Sequence, residues 1–303
     1  MPAGKLTSLA DAVAKWVPDG CSVALCTSLE SLIPFAAGHE IIRQRKRDLT
    51  LIGPISDILF DQIIGGGCAG KVEAAWVGNV ITGSAYRFRQ AVECGAVEMV
   101  DHSNLTLAMG LKAGALGVPY LPVRTALGSD LVSRGRHFAK IACPFSGQPL
   151  CAVKAICPDA AIVHVQRCDA DGNAHAWGNL GVARDALMAS RRVILTCEEV
   201  VPTEIIKSDP NRVIVPAFAV DAVVHVPWGA HPSPVPGYYN RDHQAYLDYR
   251  DDSRTDAGFA AWRRCWIDAV RTVDDYRRRV GPERLTTLAL TRHDFAESVD
   301  YGY

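Results

Sequence analysis

Three observations predict an α/β protein with a mostly parallel sheet covered by helices on both faces. Short runs such as SVALC (22–26), LTLI (49–52), AAIVHV (160–165) and RVILT (192–196) are apolar on both faces, which suits strands buried from both sides. Segments with apolar residues at helical spacing separate them. At 303 residues the chain is long enough to bury one large core. Sheets of this kind bind ligands at the carboxyl ends of their strands, so functional residues are sought just after strands.

The elements follow in order. Leu6, Leu9, Ala10, Val13 and Val17 recur at helical spacing and predict a first helix, stopped by Pro18-Asp19-Gly20 ahead of SVALC. Next come a helix near 34–46, the strand LTLI, a helix near 55–64, a strand KVEAAWV (71–77) and a helix near 84–93. A strand AVEMV (96–100) and a helix at 103–116 lead into a Pro-rich middle. The pattern resumes with AAIVHV, a helix at 181–190, RVILT and DAVVHV (221–226). A long helix near 257–280 follows. Residues 1–303 read as one three-layer α/β/α domain without internal repeats.

Hydrophobic residues make up 49% of the chain, charged residues 21%, and the formal net charge is -1. Lys and Arg alternate with acids and leave no electrostatic footprint for a polyphosphate backbone, so nucleic acid is not an expected partner. No apolar run reaches the ~18 residues a membrane span needs. MPAGKLTSLADAVAKWV reads as an amphipathic helix, not a signal sequence, so a cytoplasmic protein without membrane contact is expected. The ten cysteines include no Cys-x-x-Cys pair, and Cys26 and Cys197 sit in strand-like runs. Reduced thiols packed as small hydrophobes are expected, with neither disulfides nor a zinc site.

GGGCAGK (65–71) matches Gly-x-Gly-x-x-Gly and nearly matches a phosphate loop. A phosphate cradle needs a strand, a loop and then a helix whose N-terminus meets the anion. Here a helix precedes and a strand follows, and Val72 stands where a hydroxyl for magnesium is required. The run reads as a glycine-rich helix stop. Neither a Gly-x-Ser-x-Gly elbow nor His-Glu-x-x-His occurs. His164 and His225 lie in apolar strands, where hydrogen-bonded core histidines are expected, and no metal ligand set is read. VPWGAHPSPVPGYY (226–239) can be neither helix nor central strand. Its prolines remove donors and fix φ, so it reads as a rigid loop covering something.

In order and spacing, LTSLADAVAKWVPDGCSVAL, HEIIRQRKRDLTLIGP, ALGVPYLPVRTALGSDL, PDAAIVHVQRCDADGNAHAWG, RVILTCEEVVPTE and SDPNRVIVPAFAVDAVVHVPWGAHP resemble the α subunit of class I coenzyme A transferases, the glutaconate branch above all. WGAHP, then GYY and Asp242, is the most distinctive part. The resemblance implies a parallel three-layer coenzyme A transferase-like fold, in agreement with the strand pattern. It implies that CoA passes from an acyl-CoA to a free carboxylate through a glutamyl-CoA thioester, with coenzyme A as substrate and no permanently bound cofactor. A carboxylate suits this because its anhydride with the acyl group is activated toward the CoA thiolate. In the family the nucleophilic glutamate lies on the β subunit, in a Glu- and Gly-containing motif not found here. The resemblance therefore implies no catalytic nucleophile on this chain. It also implies a β-subunit partner in a heterotetramer or larger assembly, acyl-CoA and carboxylate substrates, and a place in carboxylic acid catabolism. Two alternatives stay open: hydrolysis or ring opening of acyl-CoA thioesters, as similar heteromers do in steroid ring breakdown, and a non-catalytic scaffold.

The first loop, CTSLESLIP (26–34), stands where the family reads Gly-Gly-Phe ahead of a proline matching Pro34. Cys26 and Thr27 then narrow the pocket wall or add oxyanion donors. Ser28 reads either as a donor to a substrate carboxylate or thioester oxygen, or as a helix cap. WVGNVITGSAYRFRQ (76–90) matches a family segment lining the interface cleft, with Asn79, Thr82 and Ser84 as polar groups. Arg87 and Arg89, two apart on a helix, face different directions, so at most one clamps a carboxylate. Arg87 is assigned that place, beside the alternative that both are solvated or paired with acids. DHSNLTL (101–107) opens a helix bordering the acyl pocket in the family, and Ser103 and Asn104 read as substrate contacts or as plain caps. Glu198 and Glu199, adjacent on an extended chain, point to opposite faces and cannot share a proton. One of them is expected to turn inward and satisfy the Pro-rich loop. In that loop Trp228, His231, Tyr238 and Tyr239 are expected to pack against the partner protein, His231 as an orienting hydrogen-bond partner.

Overall fold

The computed structural model describes residues 4–290, apart from the side chains of residues 84 and 134. Its strands are β1 (Ser22–Ala24), β2 (Leu49–Ile55), β3 (Ala69–Trp76), β4 (Gly78–Asn79), β5 (Gly83–Ser84), β6 (Glu98–Asp101), β7 (Tyr120–Val123), β8 (Phe138–Ala142), β9 (Pro149–Lys154), β10 (Ala160–Cys168), β11 (Ala174–His175), β12 (Val193–Val200), β13 (Val213–Val215) and β14 (Ala222–His225). Its α-helices are α1 (Leu9–Trp16), α2 (Phe35–Arg43), α3 (Asp57–Gly65), α4 (Tyr86–Glu93), α5 (Asn104–Leu116), α6 (Asp130–Arg134), α7 (Ala183–Ala189), α8 (Thr203–Ser208), α9 (His243–Asp252), α10 (Asp256–Arg263), α11 (Val273–Val280) and α12 (Pro282–Leu288).

Strands β14, β12, β10, β1, β2, β3 and β6 lie side by side in that order and run parallel. Alternation along each strand divides the interior in two. Val23, Leu51, Val72, Ile162 and Ile194 face one core with α1, α2, α3, α9 and α10. Ala24, Ile52, Ala161, Val163 and Leu195 face the other with α5 and α7. Both faces are covered, which is why these strands read as unbroken apolar runs.

Local chemistry sets the boundaries. Ser8 caps α1 by accepting from the Asp11 N–H at 3.0 Å, so the helix begins after Lys5 and Thr7, whose carbonyl and N–H instead bond to Val223 of β14. α3 stops in the GGGCAGK run, where Gly67 has φ 73°, as a glycine stop requires.

Three expectations need correction. The long helix near 257–280 is two helices: α10 ends in a π turn at Arg264–Asp268, and α11 starts afresh from a capping box in which Thr272 and Asp275 satisfy each other's backbone N–H groups. The Pro-rich middle holds an antiparallel sheet, β7-β9-β8. His225 is not a core residue: it ends β14, is exposed, and bonds through Nε2 to the Glu198 carbonyl at 3.1 Å. Among the described residues no helix is long and apolar enough to cross a membrane, and all ten cysteines are free thiols.

Candidate functional site

Leu25 to Ser28 leave the carboxyl end of β1 and are all buried. Cys26 has φ 54°, Leu29 φ 66° and Leu32 φ 56°, left-handed conformations that cost an L residue about 1–2 kcal/mol each. Cys26 thus takes a glycine-like backbone shape where the resembled family has its first glycine. Surrounding bonds overdetermine the loop. The Thr27 carbonyl accepts from the Val182 N–H at 2.8 Å, and Ser31 Oγ donates to the Asn179 carbonyl at 3.1 Å. The Leu32 N–H donates to the Pro234 carbonyl at 3.1 Å and the Ile33 N–H to Ser233 Oγ at 3.3 Å. A Cβ on Gly181 would fall 2.4 Å from the Thr27 carbonyl oxygen, so that approach requires glycine. Ser28 Oγ, on a residue 2% exposed, has no hydrogen-bond partner among the described residues.

β2 is followed by Ser56 and by Asp57, the first residue of α3, and Asp57 is again left-handed at φ 53°. Its carboxylate accepts from the Ile58 N–H at 2.6 Å and from Asn79 Nδ2 at 2.8 Å. Asn79 Oδ1 in turn accepts from the Ile81 N–H at 2.9 Å, which shapes the β4–β5 turn. Burial raises the Asp57 pKa to about 6, against the opposing charge of Arg241 and these hydrogen bonds. Buried Arg241 donates to Glu30 Oε2 at 3.1 Å and lies 4.9 Å over the Tyr246 ring. Burial, then the nearby Asp57 charge, push the Cys26 thiol up, so it is no thiolate nucleophile. Cys26, Asp57, Asn79, Glu30 and Arg241 therefore make one polar group at the carboxyl ends of β1, β2 and β3. Asp57 and Arg241 were missed in the sequence; for Asp57 the signal was its place directly after a strand.

The remaining candidates lie elsewhere. Arg87 is buried and pairs with Asp256, and a Cβ on Gly65 would come 3.0 Å from its Cγ. It thus sits by the last residue of α3, roughly 12 Å along the helix from Asp57. Arg89 lies 4.8 Å from the Tyr86 ring centre. Ser103 caps α5, accepting from the Thr106 N–H at 3.1 Å, while Asn104 and Leu105 stand exposed at the start of that helix.

The proline loop turns inward. Trp228 stacks on Tyr239 with ring centres 4.2 Å apart, and Tyr239 is buried. Glu198 is the inward acid, accepting from Tyr239 Oη at 2.7 Å, the Trp228 N–H at 2.8 Å and His164 Nε2 at 2.8 Å. His231 is bonded to Tyr276 Oη at 2.7 Å and Asp242 at 2.9 Å. Burial alone would raise Asp242, but His231 and Arg284 hold its pKa down at about 2. Of the four aromatic groups assigned to a partner surface, His231 and Tyr239 are buried within this chain, and Trp228 and Tyr238 are half-buried. What the loop covers is the first strand-end loop.

One set of potential metal ligands converges among the described residues: Glu73 on β3, His102 after β6 and His137 before β8. Its members are 29 and 35 positions apart by subtraction of their numbers, which no ligand-spacing pattern reads.

The family model described as Coenzyme A transferase matches residues 6–226. The chain is 40% identical to one subunit of the 3-oxoadipate CoA-transferase of Pseudomonas knackmussii, over 91% of this chain and 98% of that one. It is 34% identical to the corresponding subunit of the glutaconate CoA-transferase of Acidaminococcus fermentans, over 94% of each. The crystal structure of that glutaconate enzyme superposes with a TM-score of 0.90, covering 95% of this chain and 96% of the other. Identity is 30% to the cholesterol ring-cleaving hydrolase IpdA subunit of Mycobacterium tuberculosis, over 91% of this chain and 97% of that one.

Proposed function

The chain belongs to the coenzyme A transferase family, and on that premise we propose that it forms one side of a two-chain active site, opposite a partner that carries the nucleophilic glutamate. The partner carboxylate attacks the acyl-CoA carbonyl and expels the CoA thiolate, leaving a mixed anhydride. The thiolate then attacks the glutamyl carbonyl and releases the first carboxylate as a glutamyl-CoA thioester forms. An acceptor carboxylate reverses both steps and leaves as the new acyl-CoA.

The observation that carries this reading is the buried Ser28 hydroxyl, without a hydrogen-bond partner among the described residues, beside a group whose carboxylates are all engaged. In that group Asp57 is held by Asn79 and Glu30 by Arg241, and outside it, under the proline loop, Glu198 is held by three donors. Each of these carboxylates already has hydrogen-bond donors, whereas the Ser28 hydroxyl has its proton to give. Ser28 supplies a donor to the thioester or anhydride oxygen, Cys26 and Thr27 form the wall, and Asn79 fixes the loop above Asp57. Ser103 and Asn104 meet the acyl group or acceptor. Val80, 53% exposed in the β4–β5 turn, and Leu105, 46% exposed on α5, provide apolar surface for the partner at this same sheet edge.

The test is to incubate the purified two-chain complex with acyl-CoA esters and free carboxylates. Short dicarboxylic acids come first, since two relatives are named for them. Formation of the acceptor's CoA ester, together with a hydroxylamine-sensitive CoA adduct on a partner glutamate, is expected. Adduct formation by this chain alone would overturn the reading. A hydrolase is the second reading. It is favoured by Cys26-Thr27-Ser28 in place of Gly-Gly-Phe and by the similarity to a ring-cleaving hydrolase subunit. Free CoA released at a rate independent of acceptor would select it.

A further inference from the structure

We propose that Glu73, His102 and His137 form a site for one divalent transition-metal ion, with zinc the best fit. The ion would tie the parallel sheet at β3 and β6 to the antiparallel sheet at β8. Nitrogen and carboxylate donors in a two-histidine, one-carboxylate set suit zinc, with a fourth position left for water.

Geometry carries the proposal. The three ligand atoms lie within 4.8 Å of one another. Glu73 Oε1 is 2.9 Å from His102 Nε2 and 3.6 Å from His137 Nδ1. Bond lengths of ~2.0–2.1 Å in a tetrahedral zinc site place neighbouring donors ~3.3 Å apart, between those two distances. Small side-chain rotations would seat the ion.

Hydrogen bonding around His102 orients its ring toward the site. The Thr106 hydroxyl donates to the Ser103 carbonyl at 3.1 Å and accepts from the Ser103 N–H at 2.8 Å. The same hydroxyl lies 3.3 Å from His102 Nδ1 and orients the ring so that Nε2 points at Glu73. His102 Nε2 faces the buried Glu73 carboxylate at 2.9 Å, where it can donate a proton, as His164 does to Glu198, or ligate an ion shared with that carboxylate. A hydrogen bond satisfies only the His102 pair, whereas a metal also uses His137, whose Nδ1 faces the same carboxylate at 3.6 Å. Access exists as well: His137 lines an open cavity of about 680 Å³ with Lys71, Glu98, Asp101 and Asp130.

The test uses the full-length, untagged chain, dialysed with Zn²⁺ and then against weak chelator. One zinc per chain by mass spectrometry is expected, with a melting temperature that rises with Zn²⁺ and falls with strong chelator. Co²⁺ should give visible ligand-field bands of a nitrogen and oxygen site. His137→Gln, at the half-exposed edge, should weaken zinc binding by about tenfold or more while melting like the metal-free wild type. Less than stoichiometric zinc on the folded wild type would leave the His102–Glu73 contact a plain hydrogen bond and overturn the proposal. Thiolate-to-cobalt charge-transfer bands, marking binding at exposed Cys94 or Cys157, would overturn it too, as would unchanged affinity in His137→Gln. If that variant does not fold, the wild-type stoichiometry and cobalt spectrum decide alone.

Discussion

A buried hydroxyl without a partner costs about 1–3 kcal/mol, so Ser28 is held against stability. Ser28→Ala should melt at or above the wild-type temperature while kcat/KM of the two-chain complex falls about 100-fold, the scale for a lost oxyanion donor. A destabilised, fully active variant would remove Ser28 from the chemistry. Asp57 carries a second residue-scale prediction. Its folded pKa of about 6 lies above the ordinary 3.8, so the folded state holds the proton more tightly. The resulting stabilisation is present in full below the ordinary value and is lost as pH rises through about 6. Relative to acid, ionised Asp57 then costs on the order of 3 kcal/mol. Asp57→Asn stays neutral, so its urea-unfolding free energy should gain on the wild type by about that amount between about pH 4 and pH 7. Parallel pH profiles would show that the carboxylate is solvated. Placing Ser28 just after a strand needed only the apolar pattern; its burial without a partner depends on residues 179–182 and 233–234, which no local pattern connects to it.

The proline loop and the end of β12 act as one unit through Glu198. Glu198→Ala would strand the Tyr239 hydroxyl, the Trp228 N–H and His164, and should cost about 3–5 kcal/mol in urea unfolding. Glu198→Gln keeps an acceptor and should cost clearly less. Equal losses would mean that charge, not hydrogen-bond number, holds the loop. The inward turn of one glutamate followed from strand alternation alone, since adjacent residues must face opposite ways. Which of the two turns inward depends on where the loop lands. The restart at α11 did have a local sign, Thr272 followed by Asp275, but the helical spacing continues across it and hides the break.

For the whole molecule, the proposed one-sided site predicts that this chain alone turns over nothing and that its exposed apolar residues at the β3 and β6 ends meet the partner. Val80→Asp with Leu105→Glu should weaken assembly by about tenfold or more in a titration of the two purified proteins, leaving the isolated chain's melting temperature unchanged. Undiminished assembly would place the partner on another face. The sequence by itself determined the alternation of strands and helices, the burial of the sheet on both faces and the edge at which functional groups gather, because apolar periodicity is a local record of which faces meet water. Only the tertiary structure decided that Asp57 shares a buried group with Asn79 and Arg241, that Arg87 pairs with Asp256 away from that group, and that Glu73 meets His102 and His137. Those meetings join positions up to 184 residues apart, as between Asp57 and Arg241, and depend on strand order and loop paths that no stretch of sequence encodes alone.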